Sequence, residues 1–159
     1  MNYLLFRNRF LVLVTILLVF LALNSLLAQV TSYLYPEPVL STTGPYLVLK
    51  FGFVVLFAPL VETLICQQWL ISFVRRKLRF KSSHKKWTYA ILISSIIFGL
   101  GHSYNPMYMA ETTILGLILG ATYWLFTVRK DLSPVLAVYI LHLINNLLTF
   151  TCNDFMGWL

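Results

Sequence analysis

The sequence predicts an all-α integral membrane protein, a bundle of about five transmembrane helices with its N-terminus inside and its C-terminus outside. Three observations predict it. Hydrophobic residues fill 59% of the 159 positions and charged residues only 11%, and the mean hydropathy of +0.80 lies far from the soluble average. Apolar runs recur at lengths of about 20 residues, enough for a helix to cross a hydrocarbon core of about 30 Å. The Lys and Arg residues behind the formal charge of +7 are bunched between those runs, which is the pattern that orients helices in a bilayer.

The first span is expected over residues 10–30, preceded by Arg7 and Arg9. A signal peptide also has a basic flank ahead of an apolar stretch, with Ala28 placed before a cut. The run is long for that role and no small-x-small site is clean, so an uncleaved helix is the reading. The second span covers residues 46–73. Within it Pro59 removes one backbone hydrogen bond and is expected to kink the helix just before Glu62. The third covers residues 87–103 and stops at Asn105-Pro106. The fourth covers residues 107–128. The fifth opens on Ser133-Pro134, with proline suited to the first helical position, and runs to Phe150. No internal repeat or low-complexity linker interrupts them, so residues 1–159 read as one transmembrane domain.

Orientation follows from the cations. Arg75-Arg76-Lys77, Arg79, Lys81 and Lys85-Lys86 occupy one loop, which must face the cytoplasm. With five spans, Arg7, Arg9 and Arg129-Lys130 fall on that same side, whereas residues 33–44 and 103–106 carry no Lys or Arg. Lys50 is the stray, near enough to the outer end of its helix to snorkel. Trp87, Tyr89, Trp124 and Trp158 lie near span ends and fit interfacial belts. The basic loop is therefore read as topogenic and in contact with membrane lipid. Nucleic-acid binding is excluded, because no soluble fold would present the basic run. Cys66 and Cys152 give neither a disulfide framework nor a metal-ligand spacing.

Polar residues at depth carry the chemistry. Glu62, His102 and the His142/Asn146 pair sit in apolar sequence on three separate spans. A charge at mid-membrane costs at least about 2.5–3.5 kcal/mol, so a chain that places a carboxylate and two imidazoles there is building a site. His142 and Asn146 are spaced i,i+4 and share one helix face. Counting from the basic loops at about 1.5 Å per residue puts all four groups roughly 15–24 Å up, where they can meet. Together they offer a base, two imidazoles and hydrogen-bond donors, which suits attack of water on an amide carbonyl.

Plainer readings exist for each residue. His102 alone can be an interhelical hydrogen-bond partner, worth about 0.6 kcal/mol on average. Glu62 alone can be a proton relay or a counter-charge for Lys50. Glu111, in the first turns of the fourth span, reads as a structural acid favoured by the helix N-terminus. Gly116-x-x-x-Gly120 reads as close helix packing.

The ordered set changes the balance. Ala58-Pro59-Leu60-Val61-Glu62, Phe98-Gly99-Leu100-Gly101-His102, Gly116 to Gly120 and Leu141-His142-Leu143-Ile144-Asn145-Asn146 resemble successive motifs of the CAAX-protease and bacteriocin-processing (CPBP, or Abi) membrane proteins. Those motifs read EExxxR, FxxxH and HxxxN on consecutive helices, and the resemblance covers residues 46–150 as a catalytic core. It implies an intramembrane endopeptidase of the glutamate type in the cell membrane, a multi-pass protein engaged in CAAX-type or peptide- and bacteriocin-related processing. Its partners would be membrane lipid and a peptide or protein substrate. By the resemblance, Glu62 is the general base on a water, His102 helps to hold that water, and His142 and Asn146 stabilise the oxyanion. Family members are often called metalloproteases, and Glu62, His102 and His142 offer zinc ligands. The chain has no HExxH, however, and the glutamate mechanism needs no cofactor, so the metal-free reading is taken.

One departure is specific. The second Glu and the Arg of EExxxR are Thr63 and Gln67 here. Losing one charge of a pair would strand the other at a cost of several kcal/mol, so loss of both reads as replacement of a supporting pair by two groups that hydrogen-bond at i,i+4. It also keeps two other function classes open. One is a catalytically inactive homologue acting as a membrane binding or immunity protein. The other is a small transporter or proton-relay subunit, against which stands the lack of a mirrored second half.

Overall fold

A computed structural model describes residues 8–35 and 45–152, and these are helical with no strand among them. Five helices follow in order: α1 Arg9–Leu34, α2 Pro45–Lys77, α3 Ser83–Leu100, α4 Pro106–Arg129 and α5 Pro134–Phe150. By length and composition α1, α2 and α4 can each cross a membrane, and α5 is a shorter apolar helix. Large apolar side chains such as Leu18, Val48, Leu49 and Ile65 remain exposed on α1 and α2. An apolar surface of that extent needs a hydrocarbon solvent. Arg7, Trp158 and most of the cation-free stretch 33–44 lie outside the described residues.

Local chemistry sets the helix ends. Asn8 caps α1, accepting from the Phe10 N–H. Ser133 caps α5 in the same way and Pro134 opens it. The third helix departs from the expectation at both ends. It begins at Ser83, because Ser82 accepts from the Lys85 N–H and draws the basic residues into the first turn. It ends at Leu100, where Gly101 passes into a tight turn. Asn105-Pro106 therefore does not stop α3. Asn105 accepts from the Tyr108 N–H at 2.8 Å and Pro106 takes the first position, so the pair starts α4. His102 consequently lies on the turn between the two helices.

The second helix is wound wide on both sides of Pro59. π-helical turns run over Gly52–Phe57 and Thr63–Leu70, separated by the short α-helical stretch Ala58–Glu62. In the first wide stretch the Ala58 N–H reaches back five residues to the Phe53 carbonyl. The next bond in that register would run from residue 59 to Val54, but proline has no N–H to give. The Asn146 side chain supplies the donor instead, Nδ2 to the Val54 carbonyl at 3.0 Å, and the Tyr139 hydroxyl reaches the Leu56 carbonyl at 3.4 Å. The proline thus redirects a backbone bond to α5.

By contrast α3 and α4 are regular and antiparallel, joined through glycine. A β-carbon at Gly120 would lie 2.8 Å from Ile91 Cγ2, and one at Gly116 would lie 3.2 Å from Ser95 Cα and from Phe98 Cδ1. Phe20, Phe98, Leu119, Phe126, Val138 and Leu141 form the centre of the apolar core. At one end the Trp87 and Tyr123 rings meet, Arg75 lies over Trp87, and Arg9 donates to the Asp131 carbonyl at 2.8 Å. Arg9, the basic loop after α2 and Arg129 therefore share that end. There the Arg129 guanidinium, hydrogen-bonded to Asp131, holds its carboxyl below the usual carboxylate range.

Candidate active site

Toward the opposite end the helices stand apart around a cavity of about 1090 Å³. Its wall includes Glu62 of α2, His102 of the α3–α4 turn and His142 and Asn146 of α5. The four residues singled out by their depth in the sequence therefore converge on one space.

Glu62 closes the α-helical stretch that begins at Ala58, where the wide turns on either side set the direction of its side chain. Its side chain keeps 30% of its surface exposed, whereas that of His142 keeps 6%. Nε2 of His142 lies 3.4 Å from Oε2 of Glu62. A carboxylate oxygen accepts, so that nitrogen carries the proton and a neutral ring has its lone pair on Nδ1. Nδ1 is buried and has no hydrogen-bond partner. The separation is long for a hydrogen bond, so the N–H is held weakly and can turn to a better acceptor. The partner the structure gives Glu62 is thus an imidazole on α5, and Lys50, the counter-charge considered from sequence, lines the same cavity.

His102 is fixed from its other side. Nδ1 lies 2.8 Å from the Phe98 carbonyl, which can only accept, so Nδ1 carries the proton and Nε2 of the neutral ring is an acceptor. The Phe98 ring meets both imidazoles, with centroids 4.6 Å from His102 and 5.7 Å from His142. The FxxxH spacing thereby has a physical content: one aromatic residue supplies the carbonyl that sets a tautomer and the ring that both imidazoles pack against.

Asn146 is engaged with α2 through Val54, and its Oδ1 faces Asn145 Nδ2 at 3.5 Å. One of its two amide protons is thus committed to the broken backbone, and the other remains for a ligand. Among the described residues no three His, Cys, Asp or Glu side chains come together as a metal-holding group.

Thr63 and Gln67 do not make the expected mutual hydrogen bond. Both are fully buried, and Thr63 Oγ1, Gln67 Nε2 and Gln67 Oε1 have no hydrogen-bond partner. The expectation assumed an α-helical face, whereas this stretch closes its backbone bonds in the wider π register, which shifts the side chains four apart. Nearby polarity is met by the backbone: Ser94 Oγ donates to the Cys66 carbonyl at 2.8 Å.

Three residues beyond the motifs belong to the cavity. Glu111 is the sixth residue of α4, past the first turn, and it accepts from Thr31 Oγ1 of α1 at 2.8 Å. Burial at the cavity and a partner on another helix replace the helix-terminus role expected for it. Tyr108, one turn earlier, packs its ring 6.0 Å from that of His102. Asn145 is buried, with Oδ1 unpartnered. The signal for the α4 pair was a polar stripe at residues 108, 111 and 112, and for Asn145 the i,i+3 spacing from His142.

The family model described as Type II CAAX prenyl endopeptidase Rce1-like matches residues 44–148, about two thirds of the chain. That stretch holds α2 to α5 up to residue 148 and all four motif residues, and leaves α1 outside. Neither a curated protein nor a solved structure matches the chain. The match agrees with the CAAX-protease resemblance of the motifs, and it lends no support to a transporter or a non-catalytic binding protein. The chain belongs to the Type II CAAX prenyl endopeptidase Rce1-like family, a family of membrane proteases.

Proposed function

We propose that the protein is an intramembrane endopeptidase that hydrolyses a peptide bond of a membrane-associated peptide or protein, with water activated by Glu62. The observation that carries this reading is the convergence of Glu62, His142 and His102 on one cavity, with the acceptor nitrogen of His102 left open. Water donates one hydrogen bond to the Glu62 carboxylate and the other to His102 Nε2. Glu62 takes the first proton as the water oxygen bonds to the scissile carbonyl carbon. The carbonyl oxygen becomes an oxyanion, to which the His142 N–H and the second Asn146 N–H donate. Collapse of the tetrahedral species breaks the C–N bond, and Glu62 returns its proton to the departing amine. No step calls on a metal.

The same reading places five spans in the cell membrane as a multi-pass protein. The shared basic end of Arg9, residues 75–86 and Arg129 faces the cytoplasm, and the C-terminus lies outside. A reporter in the loop after α2 should then read as cytoplasmic and one at the C-terminus as external, and matching locations would break the five-span arrangement.

Glu62→Gln keeps shape and volume but cannot accept the proton. Cleavage of a peptide substrate by purified protein should fall by about 10²–10⁴-fold at unchanged folded yield. Chelator should leave the wild-type rate alone. Activity retained by Glu62→Gln would overturn the base assignment, and activity lost on chelation and restored by zinc would make Glu62, His102 and His142 ligands.

A further inference from the structure

The basic end of the bundle holds a second pocket, of about 430 Å³, lined by Ser72, Arg75, Arg76 and Lys86. Its charge is unbalanced. Between Glu62 and Glu111 the sequence contains no Asp or Glu, while residues 75–86 contain seven Lys and Arg. Among the described residues the three carboxylates are engaged elsewhere: Glu62 faces His142, Glu111 accepts from Thr31, and Asp131 accepts from Arg129. Three cations lining one pocket without a counter-ion repel each other, and an anion between them would relieve that.

Arg75 makes the pocket a built one. Its guanidinium lies over the Trp87 ring, Cζ 3.4 Å from the ring centroid. Stacking uses the face of the group and leaves its in-plane N–H donors for an acceptor at the edge. Nε is buried and has no hydrogen-bond partner, a donor held in place with nothing to donate to. Arg76, Lys86 and the Ser72 hydroxyl complete a set of charged and neutral donors suited to the oxygens of a phosphate.

The surroundings point to a lipid as the carrier of that phosphate. Trp69 and Phe73 of α2 are exposed and stack with centroids 5.6 Å apart. Trp69 lies about one turn before Ser72, away from the basic loop, and Phe73 directly follows Ser72, so the stacked pair gives an apolar bed beside the pocket where an acyl chain would run if its headgroup filled it. Tyr89, exposed near the start of α3, suits the level where aromatic side chains meet headgroups, whereas Trp87 is buried beneath Arg75. We propose that Ser72, Arg75, Arg76 and Lys86 form a binding site for the phosphate of an anionic phospholipid headgroup, separate from the candidate active site and independent of its chemistry.

The test uses the full chain in detergent, titrated with phosphatidylglycerol, phosphatidylcholine or inorganic phosphate, with bound lipid counted by native mass spectrometry and stability followed by thermal unfolding. Phosphatidylglycerol should be retained and should raise the unfolding temperature, whereas phosphatidylcholine and inorganic phosphate should not. The double variant Arg76→Gln with Lys86→Gln should weaken phosphatidylglycerol binding about thirtyfold, since each cation near a headgroup is worth about 1 kcal/mol. Arg79→Gln with Lys81→Gln removes equal charge outside the pocket and should keep binding nearly intact. Equal losses from the two double variants, or none from the first, would overturn the site. A response to inorganic phosphate equal to that of phosphatidylglycerol would overturn the lipid assignment.

Discussion

The second helix and the seam between α3 and α4 solve the same packing problem in opposite ways. Along the seam, Gly99, Gly116 and Gly120 remove side chains so that two regular helices touch. Along α2, wide turns and Pro59 open the backbone, and α5 must reach across to satisfy the Val54 and Leu56 carbonyls. The seam buys rigidity from shape alone, whereas α2 depends on polar side chains supplied by another helix. The difference explains where chemistry can be placed. Irregular turns expose hydrogen-bonding groups and re-aim side chains such as Glu62, and π-helical turns are frequent at functional sites for that reason. The seam carries Phe98, which orients both imidazoles, and so provides the fixed wall against which the looser helix works.

The largest effect should come from breaking the seam. At Gly99 a β-carbon would fall on Thr113 Oγ1 and lie 2.7 Å from the Met109 carbonyl oxygen, a backbone atom that cannot step aside. Gly99→Val should cost about 3 kcal/mol in detergent unfolding or prevent accumulation. Gly52→Ala, in open space on α2, should stay within about 1 kcal/mol of wild type in either direction, a range set by helix propensity. Equal losses at the two glycines would remove the contrast between tight and open packing.

A smaller effect tests the link between α2 and α5. Asn146→Leu strands the Val54 carbonyl and should cost about 1–2 kcal/mol. In a Pro59→Ala background the restored N–H can reach that carbonyl, so the same change should cost less. A double-mutant cycle should therefore show coupling of about 1 kcal/mol between two residues 87 positions apart in the sequence. Strict additivity would mean that proline and asparagine do not share a carbonyl.

The smallest effect has the opposite sign. Thr63 and Gln67 are buried with unpartnered polar atoms, so Thr63→Val with Gln67→Leu removes polar groups without stranding any partner. The pair should raise the unfolding temperature by about 2–4 °C, the shift expected from about 1 kcal/mol in a chain of this size. A fall of similar size would reveal a buried water bonded to both side chains and would make α2 better satisfied than its geometry indicates.

Hydropathy and the grouping of cations determined the helical membrane class and the number of helices, because a bilayer demands long apolar stretches whatever they pack against. Glu62, His102, His142 and Asn146 were legible for the same reason: polar groups at that depth are costly and stand out. The sequence could not say how those groups bond. That the helix is wound wide on both sides of Pro59 and leaves a carbonyl to Asn146, that His102 stands past the end of α3, and that Thr63 and Gln67 stay apart all depend on turns whose register only the packed bundle sets. Glu111 was misjudged because its partner, Thr31, lies 80 residues away on α1, and sequence spacing reports only neighbours on the same helix. Residue type and depth are properties of the chain, whereas hydrogen-bond partners across helices are properties of the fold, decided when five helices compete for the same buried donors and acceptors.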